Sequence, residues 1–232
     1  MLGGIGIDRI IYMDVLRAVA LLGMFAFHTV YNLTTFYNFP FVYDTGFWDI
    51  YRLTAIAGVF VFVSGWSATI GKNNNKKILW LSMSAFWVSF VTYFYLGDSW
   101  IKFGILHLLL VANFLYQIIF KKISTTGNIV LAIFCFVLSP WVVTINTNVY
   151  WFIWLDIIPD NYSAVDHYPL IPWLGVFILG VVWGRWGVLS YRYNVHNSTM
   201  LFRVIYWLSS RSLILYLLHQ PILLLLMKIV LG

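Results

Sequence analysis

The sequence predicts an all-α, polytopic bundle of transmembrane helices, and its composition and hydropathy pattern lead to that fold class. Hydrophobic residues make up 62% of the 232 positions and charged residues only 9%, and the mean hydropathy is +0.85. About seven apolar stretches are long enough to cross a hydrocarbon core about 30 Å thick. Little sequence remains between them, so residues 1–232 are predicted to form a single transmembrane domain.

The spanning helices are predicted by sliding-window hydropathy. The windows fall at about 12–32, 51–71, 78–96, 102–120, 128–146, 168–187 and 205–230. Trp and Tyr near most window ends fit the aromatic belts of membrane interfaces. The aromatic segment Tyr150 to Leu155 lies outside the windows and is interpreted as a loop or as an interfacial or re-entrant segment.

The loops between the windows alternate in the sign of their charge. One set carries Lys72, Lys76, Lys77, Lys121, Lys122, Arg185, Arg192 and Arg203. The other set carries mainly Asp44, Asp49, Asp98, Asp156, Asp160 and Asp166. The positive-inside rule makes the basic set cytoplasmic, which predicts a cytoplasmic N-terminus and an outer C-terminus. Arg52 and Lys102 run against this pattern, and the basic residues are too scattered to form a nucleic-acid site.

Ionisable side chains inside the predicted spans are the first candidates for function, because each is costly in hydrocarbon unless it is paired or hydrated. They are Asp14, Arg17, His28, His107, Arg211 and His219. Asp14 and Arg17 are three residues apart on one helix, which predicts a local ion pair. Arg17 is either an anchor for lipid phosphates or a bidentate site for the phosphates of a donor, and Arg211 is a second candidate.

Three histidines are predicted to lie at similar depth on three helices. A rise of 1.5 Å per residue puts His28 about 16 Å beyond Arg17 and His219 about 12 Å beyond Arg211, and it puts His107 in the outer half as well. Imidazole is suited to proton transfer near neutral pH, so the group predicts a general base or a proton path. Each histidine alone is also compatible with a hydrogen bond between helices. Their spacing forms no ligand motif, so no metal is predicted.

The stretch Asp166-His-Tyr-Pro-Leu-Ile-Pro-Trp173 opens the sixth predicted helix on the outer side. A carboxylate at a helix N-terminus is favoured by the helix dipole, and the prolines stiffen the backbone there. Asp166 therefore either caps this helix or recognises a cationic or hydroxyl-rich acceptor.

Five stretches in this order resemble the heparan-α-glucosaminide N-acetyltransferase catalytic-domain family in its compact prokaryotic form. They are Asp14-Val-Leu-Arg17 followed by His28, Phe-Val-Ser-Gly65, Phe103-Gly-Ile-Leu-His107, the stretch Asp166 to Trp173, and Arg211-Ser-Leu-Ile-Leu-Tyr-Leu-Leu-His-Gln-Pro221. The resemblance runs essentially end to end. It implies a transmembrane acyltransferase fold in which Arg17 and His28 occupy the positions that mark the active-site helix of the wider superfamily.

The resemblance also implies a donor and a class of acceptor. The lysosomal members move acetyl from cytosolic acetyl-coenzyme A to a glucosamine amine on the far side of the membrane. A prokaryotic member is expected to use another amino sugar, a glycolipid or an envelope component. Two departures concern the base: the lysosomal enzymes have asparagine at the position of His28, and they use a histidine of the first outer loop that residues 33–49 lack. Small relatives usually carry an acid where Asn32 stands.

The leading hypothesis is an acyltransferase of a prokaryotic cell membrane. Acetyl- or acyl-coenzyme A would bind from the cytoplasm near Arg17, Arg211 and Asp14, and His28 would act as base with His107 or His219 orienting it or polarising the thioester. The acceptor would be bound by Asp166, Asn32, Trp173 and Gln220. Membrane lipids and a possible homodimer partner complete the predicted partners, with no nucleic acid. The alternatives are a proton-coupled transporter or channel, and a structural protein whose polar groups only specify helix packing.

Overall fold

The computed structural model describes residues 8–40, 46–71, 74–145, 147–195 and 198–231. Lys72 and Asp44, two of the charges behind the predicted topology, lie outside these ranges. The elements are β1 (Asp8–Ile10), α1 (Ile11–Tyr37), α2 (Gly46–Ile70), α3 (Asn74–Leu96), α4 (Ile105–Phe120), α5 (Thr125–Val142), α6 (Leu170–Trp186), β2 (Arg192–Asn194), α7 (Met200–Ser210) and α8 (Ser212–Leu231), with short 3-10 helices at Gly97–Ser99 and Tyr150–Leu155.

The all-α class is confirmed, because the only strands in the described ranges are the three-residue β1 and β2. In the part of the chain that the structure describes, five helices are long and apolar enough to cross a membrane, namely α1, α2, α3, α5 and α8, while α4 and α6 are shorter apolar helices. The window predicted at 205–230 is divided, since Arg211 leaves the helical region at φ −106° and ψ 11° and separates α7 from α8. Window hydropathy does not detect this break, because the few polar residues at 209–212 are averaged with the apolar residues of α7 and α8.

The surface of the spanning helices is apolar. Only 17%, 17% and 11% of the most apolar windows of α3, α5 and α8 are buried inside the structure. Contiguous apolar surface of this extent is not stable against water. Lipid is therefore the solvent of these helices, and the chain is a multi-pass membrane protein.

The chain forms two compact units, Met1–Phe60 with Leu189–Gly232 and Val61–Val188, and the boundary falls within α2. The single domain over residues 1–232 therefore stays a prediction. In the first unit, α1 packs against α7, α8 and the π-helical part of α2, Tyr51–Gly58. β1 pairs with β2 in antiparallel register from Asp8↔Asn194 to Ile10↔Arg192.

The core of the first unit is formed by Leu21, Met24 and Phe27 of α1 and by Ile56 of α2. The spacing of three residues puts the α1 side chains on one helix face. Gly23 lies beside them, where an added Cβ would be 2.7 Å from the hydroxyl of Tyr51. The inner face of α1 is thus held against both α2 and α8, and this packing positions the histidines described below.

The second unit is built from the rest of α2 and from α3 to α6. α5 packs along α6, and α4 packs against α3 and α6. α2 and α6 approach closely at two glycines, because a Cβ on Gly65 or Gly180 would lie 2.0 Å from the carbonyl oxygen of Phe177 or Phe62, respectively. Small residues at such crossings let helix backbones touch, which is how helices associate in lipid.

Candidate functional site

Two histidines of the first unit lie side by side between α1 and α8. The ring centroids of His28 and His219 are 4.6 Å apart, with their planes at 55°. His219 is 6% exposed, and His28 is partly buried. The sequence predicts similar depth for these two residues, and the packing of α8 against α1 brings their rings into contact.

Both rings have a buried nitrogen that makes no hydrogen bond within the described part of the chain. His219 donates from Nδ1 to the carbonyl oxygen of Tyr216, one turn earlier in α8. The neutral ring therefore carries its lone pair on Nε2, which is the buried atom without a partner. In His28 the buried atom without a hydrogen-bond partner is Nδ1. Because buried polar atoms are nearly always paired in proteins, two unsatisfied imidazole nitrogens indicate a place for a ligand or water.

Aromatic side chains surround the pair. Phe27 and Tyr31 of α1 lie 5.4 and 6.3 Å from the His28 ring, between centroids. Phe25 lies 5.9 Å from the His219 ring. These rings exclude water on several sides, and electrostatic interactions are stronger in such an environment than in water.

An amide pair lies next to the imidazoles. Asn32 Nδ2 donates to Gln220 Oε1 at 3.1 Å, and Gln220 Nε2 donates to Asn32 Oδ1 at 3.0 Å. Asn32 is four residues after His28 on α1, and Gln220 directly follows His219 on α8. The structure thus brings together four of the residues that the sequence predicts for the site. Each amide nitrogen has a second N–H that this pairing leaves over.

Arg17 lies on the same helix as His28, eleven residues before it, which is about 16 Å along the axis. Its side chain is partly buried. Among the described residues, its guanidinium has no hydrogen-bond acceptor and no ion-pair partner. A guanidinium without a direct ion-pair partner in a membrane helix is expected to bind an anionic ligand or a lipid phosphate.

Asp14 pairs with Arg9, whereas the three-residue spacing predicts a pair with Arg17. Its carboxylate is fully buried and accepts from Arg9 Nη2 at 2.7 Å, Arg9 Nε at 3.2 Å, Tyr193 Oη at 3.1 Å and Ser209 Oγ at 2.6 Å. Burial and the nearby carboxylate of Asp14 raise the pKa of Tyr193, so that the phenol remains a donor. Asp14 therefore links β1, β2 and α7 to α1, and its oxygens are used by the chain itself.

We expect Asp14→Asn to lower the free energy of unfolding by about 3–5 kcal/mol, because it leaves the partly buried Arg9 without its counter-charge. Equilibrium unfolding in mixed micelles measures this loss. Asp49→Asn is the matched control: its ion pair with Arg52, at 3.4 Å, is exposed and should contribute at most about 1 kcal/mol. Equal losses in the two variants would contradict the role given to Asp14.

Arg211 is an exposed residue at the break between α7 and α8. Its guanidinium carbon lies 5.2 Å from the centroid of the Trp207 ring, a cation–π geometry that orients the side chain. Arg211 belongs to the first unit, as do Arg17 and the histidine pair.

His107 belongs to the second unit, and both of its ring nitrogens have local partners. Nδ1 accepts from the backbone N–H of Gly104 at 3.3 Å, and Nε2 lies 3.1 Å from Ser89 Oγ. Ser89 in turn donates to the carbonyl oxygen of Ile101 at 2.7 Å. His107 therefore caps the start of α4. Both of its nitrogens have partners, whereas His28 and His219 each have a buried nitrogen without one in the described ranges.

Asp166 and Trp173 also have their contacts within the second unit. Asp166 Oδ2 accepts from the backbone N–H of Ile105 at 3.1 Å, so it caps α4, whereas the sequence predicts a cap on the sixth helix. Trp173 packs against Tyr168 with the ring centroids 5.1 Å apart.

Sequence reasoning missed a polar triad in the loop before α6. His167 Nε2 lies 3.2 Å from Asp156 Oδ1, and His167 Nδ1 lies 2.9 Å from Tyr162 Oη. Burial and the carboxylates of Asp166 and Asp156 raise the pKa of Tyr162. No motif signals this triad, because its members are brought together by loop conformation. In the described ranges, no cluster of three or more His, Cys, Asp or Glu could hold a metal ion.

The fold and the imidazole pair together define a multi-pass helical membrane protein with two contacting histidines that each have a buried nitrogen without a partner in the described ranges. Residues 9–221 match the family described as Heparan-alpha-glucosaminide N-acetyltransferase, catalytic. The match covers nearly the whole chain, so the protein belongs to this family, which is one of membrane acetyltransferases. No curated protein and no solved structure matches the chain.

Proposed function

We propose that the protein transfers an acetyl or other acyl group from cytoplasmic acyl-coenzyme A to an amino sugar, a glycolipid or another envelope acceptor on the outer side of a prokaryotic cell membrane. The observation that carries this proposal is the contact between His28 and His219, each with an unsatisfied buried nitrogen. Family membership supports acetyl as the group. A cytoplasmic N-terminus, an outer C-terminus and a homodimer belong to the same proposal.

The donor would be held by arginine on the first unit. Arg17 has a guanidinium without a partner in the described ranges, and Arg211 has an exposed one. Guanidinium groups bind phosphates through two parallel N–H···O bonds, so these residues fit the phosphate groups of coenzyme A. Asp14 would act on the donor only indirectly, because its oxygens are already bonded to Arg9, Tyr193 and Ser209. The pantetheine arm would then run along α1 towards His28.

The chemical step needs a base near the thioester. His28 would accept a proton from the acceptor amine or hydroxyl as that atom attacks the thioester carbonyl carbon. The carbon–sulfur bond then breaks, and the protonated imidazole returns its proton to the leaving thiolate. His219 would keep His28 in position through the contact of the two rings. Its Nε2, whose lone pair is assigned by the bond from Nδ1 to Tyr216, stays open to a ligand. Both nitrogens of His107 are bonded locally, so His107 is less suited than His219 to positioning the base.

The acceptor would be bound by the amide pair next to the histidines. Asn32 and Gln220 keep N–H groups that their mutual bonds do not use, and such groups suit sugar hydroxyls. Asp166 and Trp173 remain proposed acceptor contacts on the second unit. Asp166 would contact the acceptor while its Oδ2 accepts a hydrogen bond from the N-terminus of α4.

A thermal-shift measurement on the detergent-purified protein tests the donor. Acetyl-coenzyme A at about 100 times its Kd stabilises the folded state by about 2.7 kcal/mol, which is a shift of several degrees for a chain of this size. Acetyl-pantetheine, which lacks the phosphates, should shift the melting temperature less. No shift at millimolar acetyl-coenzyme A would contradict the proposal.

The same histidine pair also suits a proton path, so a proton-coupled transporter or channel is the second candidate function. Proton flux into proteoliposomes distinguishes the two. Flux that is abolished by His28→Ala, in a protein that binds no acyl-coenzyme A, would favour the transporter.

A further inference from the structure

An apolar groove of about 570 Å³ lies in the second unit, outside the site described above. It is lined by Phe103, just before α4, by Asn148 and Val149, and by Tyr150, Trp151, Ile153 and Trp154 of the 3-10 helix Tyr150–Leu155. Hydrogen bonds from Tyr168 N to Phe103 O and from Val165 N to Ser99 O tie the neighbouring loop to this end of the unit.

The groove opens towards an aromatic surface. Trp151 is 83% exposed, and Val149 and Phe152 are exposed as well. Trp and Tyr are enriched at the boundary between hydrocarbon and headgroups, where lipids are the molecules present at high concentration. A groove lined almost wholly by apolar side chains fits a hydrocarbon chain.

A lysine stands next to the groove. Lys102 precedes Phe103, and its ammonium group is held 5.3 Å from the ring centroids of both Trp100 and Tyr162. The Tyr162 ring is in turn 6.3 Å from that of Tyr150, which lines the groove. The cation is therefore held beside an aromatic ring that packs on the lining of the groove.

The ammonium group of Lys102 still has donor capacity. It donates to the carbonyl oxygens of Asp98 at 2.6 Å and Ser163 at 2.8 Å. An ammonium has three N–H donors, and in the described ranges the third has no acceptor and no carboxylate lies within ion-pair distance. Lys102 also runs against the predicted charge pattern of the loops, so the positive-inside rule does not account for its cation.

We propose that the groove and Lys102 together bind one phosphate-bearing membrane lipid, with a hydrocarbon chain between Phe103 and Trp154 and the phosphate on the third N–H of Lys102. The ring contacts and the two backbone bonds hold the ammonium group in place, which lowers the entropic cost of binding. This site is independent of the acyl-transfer proposal, because all of its residues belong to the second unit and none is assigned to the reaction.

Native mass spectrometry of the purified full chain tests the proposal with three probes of identical acyl chains: phosphatidylglycerol, phosphatidylethanolamine and diacylglycerol. One copy of either phospholipid should be retained, and diacylglycerol should not. Lys102→Met, which keeps the aliphatic stem, should weaken phospholipid binding about tenfold or more, as expected for a charged hydrogen bond. Lys122→Met is the matched control, since Lys122 is an exposed lysine elsewhere in the second unit, and it should change nothing.

Val149→Trp is an independent variant that fills the groove and leaves Lys102 in place. It should displace the lipid at an unchanged melting temperature, because Val149 is exposed. If Lys102→Met lowers the melting temperature because the carbonyls of Asp98 and Ser163 lose their donor, lipid binding by Val149→Trp still tests the proposal. Equal retention of diacylglycerol, or unchanged phospholipid binding in Val149→Trp, would overturn the proposal and leave only nonspecific lipid around the bundle.

Discussion

Replacing His28 with alanine is expected to lower the turnover number for acyl transfer by about 10²–10⁴-fold, the contribution of a positioned general base. The imidazole is one of two in contact at 4.6 Å, and its Nδ1 is buried without a partner within the described part of the chain. Release of coenzyme A thiol, followed with acetyl-coenzyme A and a panel of amino-sugar and glycolipid acceptors, measures the effect. The KM for the donor should change little, because the base acts on the acceptor.

The neighbouring residue makes this prediction more specific. His219→Ala should produce a loss in the same range, and the double variant should lose much less than the product of the two single losses, because the two rings act as one unit. His107→Ala is the control. It removes a cap from α4 and should lower stability while the folded fraction keeps its turnover. Full turnover in His28→Ala would contradict the assignment of His28 as the base. If only His107→Ala lost turnover while remaining folded, the active site would have to be assigned to the surroundings of His107.

Replacing Arg17 with glutamine is expected to raise the Kd for acetyl-coenzyme A about tenfold to one-hundredfold. That range follows from about 1.5–3 kcal/mol for hydrogen bonds to a charged group. The melting temperature of the ligand-free protein should stay the same or rise, because Arg17 has no partner to lose in the described ranges. Isothermal titration calorimetry on the detergent-purified variant measures the Kd.

Three comparisons separate phosphate recognition from a general loss of binding. Arg17→Lys keeps the charge without the planar fork and should have an intermediate Kd. Acetyl-pantetheine, which lacks the phosphates, should bind the wild type and Arg17→Gln equally. Arg203→Gln changes an exposed arginine of the first unit, on α7, and should leave both affinities unchanged. Equal weakening of both ligands by Arg17→Gln would mean that the residue does not contact phosphate.

The helices were predictable because a transmembrane helix is a local property of the sequence. Every peptide group in lipid must be bonded within its own helix, so a long apolar window and a helix nearly coincide. The window at 12–32 corresponds to α1, and the window at 128–146 to α5. The break at Arg211 was not predicted, because the 205–230 window averages the polar run at 209–212 with the apolar residues on both sides of it.

The relative depth of the candidate-site residues along their helices was predictable from the sequence. The residues that contact them were not. Counting residues along a helix gives the distance between Arg17 and His28, since the rise per residue is constant. It does not give the rotation of one helix against another. The spacing of Asp14 and Arg17 therefore suggests an ion pair, whereas the strand pairing of β1 with β2 brings Arg9 and Tyr193 to the carboxylate of Asp14.

The amino-acid sequence by itself determined that this is a multi-helix membrane protein of an acetyltransferase family, because hydropathy and motif order are properties of the chain read in one dimension. Only the tertiary structure decided that His219 is the neighbour of His28, that Asn32 bonds to Gln220, and that His107 and Asp166 cap α4. Contacts between residues far apart in the chain depend on which helix faces meet, and the interlocking of side chains over whole helices determines those faces.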